Sequence, residues 1–246
     1  ERAMEMAVSG APLPHEIITP KSVENALRVL LAISGSTNAV VHLAAIAGRR
    51  GIDLPLENIN RISDETPVLV NLKPTGAHYM QDLFAAGGLT AVLHELKHQL
   101  HLDCLTVTGE TLGQWLSETP KWVDRNVISA FDEPYQKEGG LIALFGTLAP
   151  TGAILKRAAA DSNLFERTGR AVVFDSLEDL SERIDSEDLD VSEDDFLVLK
   201  NAGPKSESCM PEAGYLPIPK KLAVRGVKDM VRISDARMSG TAFGMV

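Results

Sequence analysis

The sequence predicts a mixed α/β protein: the rear part of an N-terminal α/β domain, followed by an incomplete, β-rich, barrel-like C-terminal domain. Three observations predict it. Helix-like patterns dominate the chain as far as Ser117. A polar stretch, Phe131–Gly140, then carries one Pro and two Gly and suits a domain boundary. Beyond it come short apolar runs separated by turn residues: LIALFGTL, GAILK, GRAVVF, DFLVLKN and DMVRIS. The expected division is residues 1–132 and 133–246.

Residues 1–20 read as a loop-rich lead-in. A helix is expected over Pro20–Ala32, where Thr19-Pro20 opens a run of good helix formers. The polar cluster Ser34–Asn38 leads into AVVHLAAIAGRRG, a strongly apolar helix closed by Gly51. So little polar surface predicts burial between layers. Leu54–Ser63 carries a further helical turn. The run from Pro67 to Leu72 reads as a buried strand. His78–Ala86, Gly88–Leu100 and Thr111–Ser117 read as helical, the first two separated at Gly87-Gly88. The acidic run Ser176–Asp195 reads as a solvated helix and loop.

Composition narrows the function. The net charge of −10 disfavours nucleic acid and anionic membranes as partners, since both need a positive face. No apolar run approaches the roughly 20 residues that span a bilayer. The charged opening, broken by Pro12 and Pro14, does not resemble a secretion signal, so a cytoplasmic location is expected. The two cysteines, Cys104 and Cys209, form no CxxC pair and fit a reducing compartment. Cys104 reads as a buried structural thiol.

His94-Glu95-Leu96-Lys97-His98 matches H-E-x-x-H, which on a helix binds zinc with the Glu as general base. A zinc hydrolase is therefore a rival reading. At roughly 100° per residue, however, Leu89, Val92, Leu93, Leu96 and Leu100 fall on one side. His94, His98 and His101 fall nearly opposite, as a solvent-facing stripe would. His42 reads as a satisfied core residue of its apolar helix.

Three constellations carry more. Ser34–Asn38 opens a helix, where backbone N–H groups suit a carboxylate or phosphate, although a plain N-cap is the simpler reading. Asn201-Ala-Gly-Pro-Lys205 and Met210-Pro211-Glu212 follow a strand. Glu212 at such a bend suits a hard cation such as magnesium, although by residue type it is an ordinary surface carboxylate. In Ser234-Asp-Ala-Arg-Met-Ser-Gly-Thr241, Ser239 sits beside Gly240 and Thr241, whose N–H groups suit an anion nest. A serine acts as base only when its alkoxide is stabilised in this way and by a nearby cation.

SGSTNAVVHLAAIA, PVLVNLKPTG, LFAAGGL, LTVTGETL, GTLAPTGAILK, GRAVVF, NAGPK, MPE and SDARMSGTAFG together resemble the dihydroxy-acid and sugar-acid dehydratase family, in the family's order and over nearly the whole chain. SDARMSGTAFG and GTLAPTGAILKRAAAD are closer to the aldonic-acid dehydratases, with branched-chain dihydroxy-acid dehydratase second. The resemblance implies a hydro-lyase that converts a 2,3-dihydroxy carboxylate to a 2-keto-3-deoxy acid. Its implied cofactors are magnesium and an iron–sulfur cluster, 2Fe-2S rather than 4Fe-4S. Carried over by motif, Ser239 is the base and Glu212 the magnesium ligand. Ser36, Thr37, Asn38 and Thr241 line the substrate. The resemblance further implies a homodimer or tetramer.

The family's cluster cysteines, its further magnesium carboxylates and its metal-binding lysine belong to an N-terminal region whose motifs are not found here. No cluster ligand is assigned in this chain. The sequence therefore reads as a truncated member, inactive alone. A non-catalytic homologue that keeps the fold is the alternative of another class.

Overall fold

The computed structural model describes residues 1–118, 120–203 and 216–238. By contacts the chain divides into two units: residues 1–35 with 39–143, and residues 36–38 with 144–246.

The first unit is mainly helical. The expected loop-rich lead-in instead contains α1 (Arg2–Ser9) and α2 (Pro14–Ile17). Neither buries a residue, and α1 ends at Gly10 with φ 70°. α3 (Pro20–Ala32) forms where its cap predicts. Thr19 Oγ1 accepts from Ser22 N–H, and Ser22 Oγ accepts from Thr19 N–H at 2.9 Å. Val23, Leu27, Leu30 and Leu31 recur at helical spacing and are buried. The buried Arg28 guanidinium meets Glu65 at 2.9 Å and Glu24 at 3.1 Å. It also donates to Thr66 Oγ1 at 3.2 Å.

α4 (Thr37–Arg49) is the expected apolar helix, and Ile52 N–H closes back on Ala47 O at 2.9 Å, across Gly51 at φ 66°. Its burial differs from expectation. Only Val40 and Ala47 are buried, while Val41 and Ile46 are nearly half exposed. His42 is exposed too, so it is not a core histidine.

α5 (Leu56–Glu65) buries Ile59 and Ile62. The expected strand at Pro67–Leu72 is buried but makes only isolated bridges, Val68 to Gln136, Val70 to Ile128 and Leu72 to His78. Its partners are loop segments rather than strands. α6 (Met80–Ala85), α7 (Gly88–Glu95) and α8 (Leu112–Trp115) are the further α-helices among the unit's described residues. Leu69, Val70, Val92, Leu96, Leu116 and Ile128 form its core. The described chain passes to the second unit through β1 (Ile142–Leu144).

In the second unit the remaining apolar runs become β2 (Ala153–Leu155), β3 (Ala171–Phe174), β4 (Phe196–Leu199) and β5 (Arg232–Ser234). β3, β4 and β5 form one parallel sheet in sequence order. Parallel strands need crossovers, here supplied by α9 (Leu177–Arg183) and α10 (Lys220–Ala223). Alternation sends Val172, Phe174, Leu197 and Leu199 into the core, where Leu180, Leu216, Leu222 and Met230 join them. Asp195, also buried, takes a forked ion pair from Arg170, with Nη2–Oδ2 at 2.8 Å and Nε–Oδ1 at 3.1 Å. That hydrogen bond holds the Asp195 carboxyl down to about 2. The class is α/β as expected, with no closed barrel among the described residues. No described helix is long and apolar enough to cross a membrane.

Candidate functional site

The register Leu199↔Ser234 brings the C-terminal ends of β4 and β5 side by side. Loops leaving such ends in parallel sheets are common places for small-molecule sites. Here the loops carry two of the constellations singled out by sequence. After β4 come Lys200–Gly203, the start of the NAGPK segment; after β5 come Asp235–Met238, the first part of the SDARMSG segment.

The two loops are tied together. Ala202 N–H donates to Asp235 Oδ1 at 3.0 Å. A Cβ on Gly203 would lie 2.2 Å from the Asp235 carbonyl oxygen, so only glycine permits this approach. Asn201, at φ 56°, anchors the first loop by donating from Nδ2 to Asp175 O at 2.9 Å. Asn is among the few residues that tolerate this backbone region.

The third constellation joins them in the same unit. Thr37 Oγ1 donates to Met238 O, and Arg237 Nη1 donates to Asn38 O, both at 3.5 Å. Asn38 N–H in turn donates to Ser36 Oγ at 3.2 Å. Thus Thr37 and Asn38 meet the residues that directly precede Ser239 in the chain, and Ser36 is tied to Asn38. Glu212, Ser239 and Thr241 lie outside the described residues, as does Cys209.

Sequence reasoning did not single out Arg237, Asp235 or Lys156. Arg237 and Asp235 belong to the SDARMSG segment, and a charged pair in a short loop after an apolar strand is the available signal. Lys156, just after β2, is buried, and burial pushes its ammonium group down from the usual lysine range.

The H-E-x-x-H pattern makes no metal centre among the described residues. α7 ends at Glu95, and Lys97–Gln99 is a separate 3₁₀ turn, so the two histidines do not share one continuous α-helix. Glu95 is occupied: Arg125 Nη1 donates to it at 2.7 Å and Phe131 N–H at 3.1 Å. His98 packs edge-on against Phe131 with ring centroids 4.2 Å apart. The apolar stripe holds for Val92, Leu93, Leu96 and Leu100, which are buried, but Leu89 is 53% exposed. His94 is not solvent-facing, because its Nε2 is buried.

The described residues do not fit an iron–sulfur cluster either. Cys104 is their one thiol, and it is buried, receiving a long contact from Asn25 Nδ2 at 3.7 Å. Burial pushes this thiol up, which favours the neutral form over a thiolate ligand. No group of three or more His, Cys, Asp or Glu able to hold a metal occurs among the described residues.

An α/β protein with motif-bearing loops gathered at parallel strand ends is the class so far defined. Comparison supplies the family. Residues 1–115 match "Dihydroxy-acid/6-phosphogluconate dehydratase N-terminal" and residues 126–246 match the corresponding C-terminal description. The chain belongs to the dihydroxy-acid/6-phosphogluconate dehydratase family. It is 48% identical to an L-arabonate dehydratase of Azospirillum brasilense, over 100% of this chain and 42% of that protein. It is 44% identical to a 6-deoxy-6-sulfo-D-gluconate dehydratase of Pseudomonas putida, over 94% and 40%. It is 41% identical to a dihydroxy-acid dehydratase of Caldicellulosiruptor saccharolyticus, over 94% and 42%. The chain thus spans about two fifths of the length of these relatives.

Proposed function

We propose that this chain is part of a hydro-lyase that dehydrates an aldonic sugar acid to a 2-keto-3-deoxy acid. The observation that carries the reading is the meeting of three family segments, Ser36–Asn38, Asn201–Gly203 and Asp235–Met238, in one unit. A sugar acid is favoured over a branched dihydroxy acid because the sugar-acid relatives are 44–48% identical and the dihydroxy-acid dehydratase 41%.

In this reading Ser239, as an alkoxide, takes the proton from C2. The C2–H electron pair forms the C2–C3 double bond as the C3 hydroxyl leaves. The enol then tautomerises, gaining a proton at C3. Thr241 and Ser36–Asn38 orient the acid, and Glu212 offers a carboxylate to magnesium. The iron–sulfur cluster and magnesium of the family supply Lewis acidity when bound, and the described residues provide no ligand set for the cluster. The reading includes a homodimer or tetramer, a cytoplasmic location, and a division into pieces 1–132 and 133–246.

The test is keto-acid formation by the full natural polypeptide, purified without oxygen and supplied with magnesium. The substrates are a panel of aldonic acids and a branched 2,3-dihydroxy acid. Turnover of an aldonic acid that falls by at least about a hundredfold in Ser239→Ala supports the reading, general base catalysis being worth about 10²–10⁴. Turnover that survives in that variant removes Ser239 as the base. A cluster-free natural polypeptide with no turnover would favour a non-catalytic homologue.

A further inference from the structure

Three arginines in this protein that lose water, wholly or in part, find carboxylates. Buried Arg28 has Glu24 and Glu65, and buried Arg232 has Asp229 at 3.2 Å. Half-exposed Arg170 has Asp195 and Asp190. The reason is energetic, because removing a guanidinium from water is costly unless an anion and hydrogen-bond acceptors replace the water. Arg237 breaks this pattern. It is part-buried, yet it has no ion pair among the described residues. Its Nε is fully buried without a hydrogen-bond acceptor, as is that of Arg28, so the missing carboxylate among the described residues is what sets Arg237 apart. Its one hydrogen bond there is the 3.5 Å contact from Nη1 to Asn38 O.

The chain carries an excess of acidic residues, 34 against 24 basic, so the lack of an ion pair at Arg237 among the described residues is not for want of carboxylates. Neighbouring Asp235 does not serve it; its carboxylate accepts from Ala202 N–H. Arg237 also lies in the loop after β5, beside Ser36–Asn38 and two positions before Ser239. An arginine fork is suited to a planar carboxylate.

From this we infer that the Arg237 guanidinium binds the carboxylate of the hydroxy-acid substrate. The inference names a substrate contact and rests on the dehydratase reading above. It gives the acid a protein partner drawn from this chain, held next to the segment bearing the base. Replacing the guanidinium costs affinity for the charged acid and leaves affinity for a neutral analogue alone.

The experiment compares the full natural polypeptide carrying Ser239→Ala with the same protein carrying Arg237→Met or Arg237→Lys in addition. Calorimetry measures binding of an aldonic acid and of its neutral aldonamide. Arg237→Met is expected to weaken the acid by about 10- to 100-fold, the worth of a charged hydrogen bond, and to leave the amide unchanged. Arg237→Lys keeps the charge but loses the fork, and is expected to weaken the acid several-fold. Acid affinity equal to the parent in either variant overturns the inference. So does an equal loss for acid and amide, which marks a role in shape alone. Keto-acid formation by the Ser239 protein is scored separately. Its absence removes the dehydratase reading, while the acid–amide comparison still reads Arg237 directly.

Discussion

α3 and α4 are both 13 residues long, yet the protein treats them differently. α3 carries Lys21, Glu24 and Arg28 along one face and buries Val23, Leu27 and Leu30 on the other. α4 is the more apolar in sequence, but it buries only Val40 and Ala47 among the described contacts. Apolar composition creates a demand for burial; only a neighbour meets it. α3 has α5 and α7 packed beside it. Within these residues α4 has a less complete covering, and its start serves another purpose, bringing Thr37 to Met238.

Substitutions sharpen that contrast. The largest effect is expected at Leu27, which is fully buried in α3. Leu27→Ala should destabilise the chain by about 3 kcal/mol in chemical denaturation. A loss below about 1 kcal/mol would mean that α3 is no better packed than α4.

A smaller effect is expected at Asp195 of the second unit, where the buried group is a charge rather than hydrocarbon. Asp195→Asn removes the forked pair with Arg170 and should cost about 1–2 kcal/mol at neutral pH, since Arg170 is half exposed. The Asp195 carboxyl is held below its usual value of 3.8, to about 2. Its stabilisation is therefore present above the usual value and lost as pH falls toward about 2. Acid titration of stability should show that loss in the parent and lack it in the Asn variant.

The smallest effect is expected on α4. Ile46 is 47% exposed, so Ile46→Ser should change stability of the 246-residue chain by less than about 0.5 kcal/mol. Repeating it in the full natural polypeptide sharpens the comparison. A loss above about 1 kcal/mol there would show that α4 gains cover from outside these residues.

Much of the fold is legible in sequence for local reasons. Thr19-Pro20 starts α3 because a hydroxyl cap and a fixed φ act within one turn. β3 and β4 follow their alternating or continuous apolar runs, and α8 falls within the expected helical stretch Thr111–Ser117. Where local pattern misled, a distant contact had intervened. The Pro67–Leu72 run is extended and buried, but whether it forms a ladder depends on residues near 128 and 136. H-E-x-x-H has the spacing of a zinc helix, yet α7 stops at Glu95 and Arg125 takes the carboxylate.

The candidate site divides in the same way. Its segments were recognisable by their Gly, Ser and Asn content at strand and helix ends, because turn chemistry is written in neighbouring residues. Their meeting was not. Thr37 and Met238 stand 201 positions apart, and Ala202 and Asp235 stand 33 apart. Nor does the sequence say that Arg237 has no ion pair among the described residues, since pairing depends on which acids the fold brings near. The sequence by itself determined the Thr19 cap, the runs that become β3, β4 and β5, and the family. Only the tertiary structure decided which apolar faces are covered and which charges are paired, because burial and electrostatic pairing are properties of neighbours in space rather than in the chain.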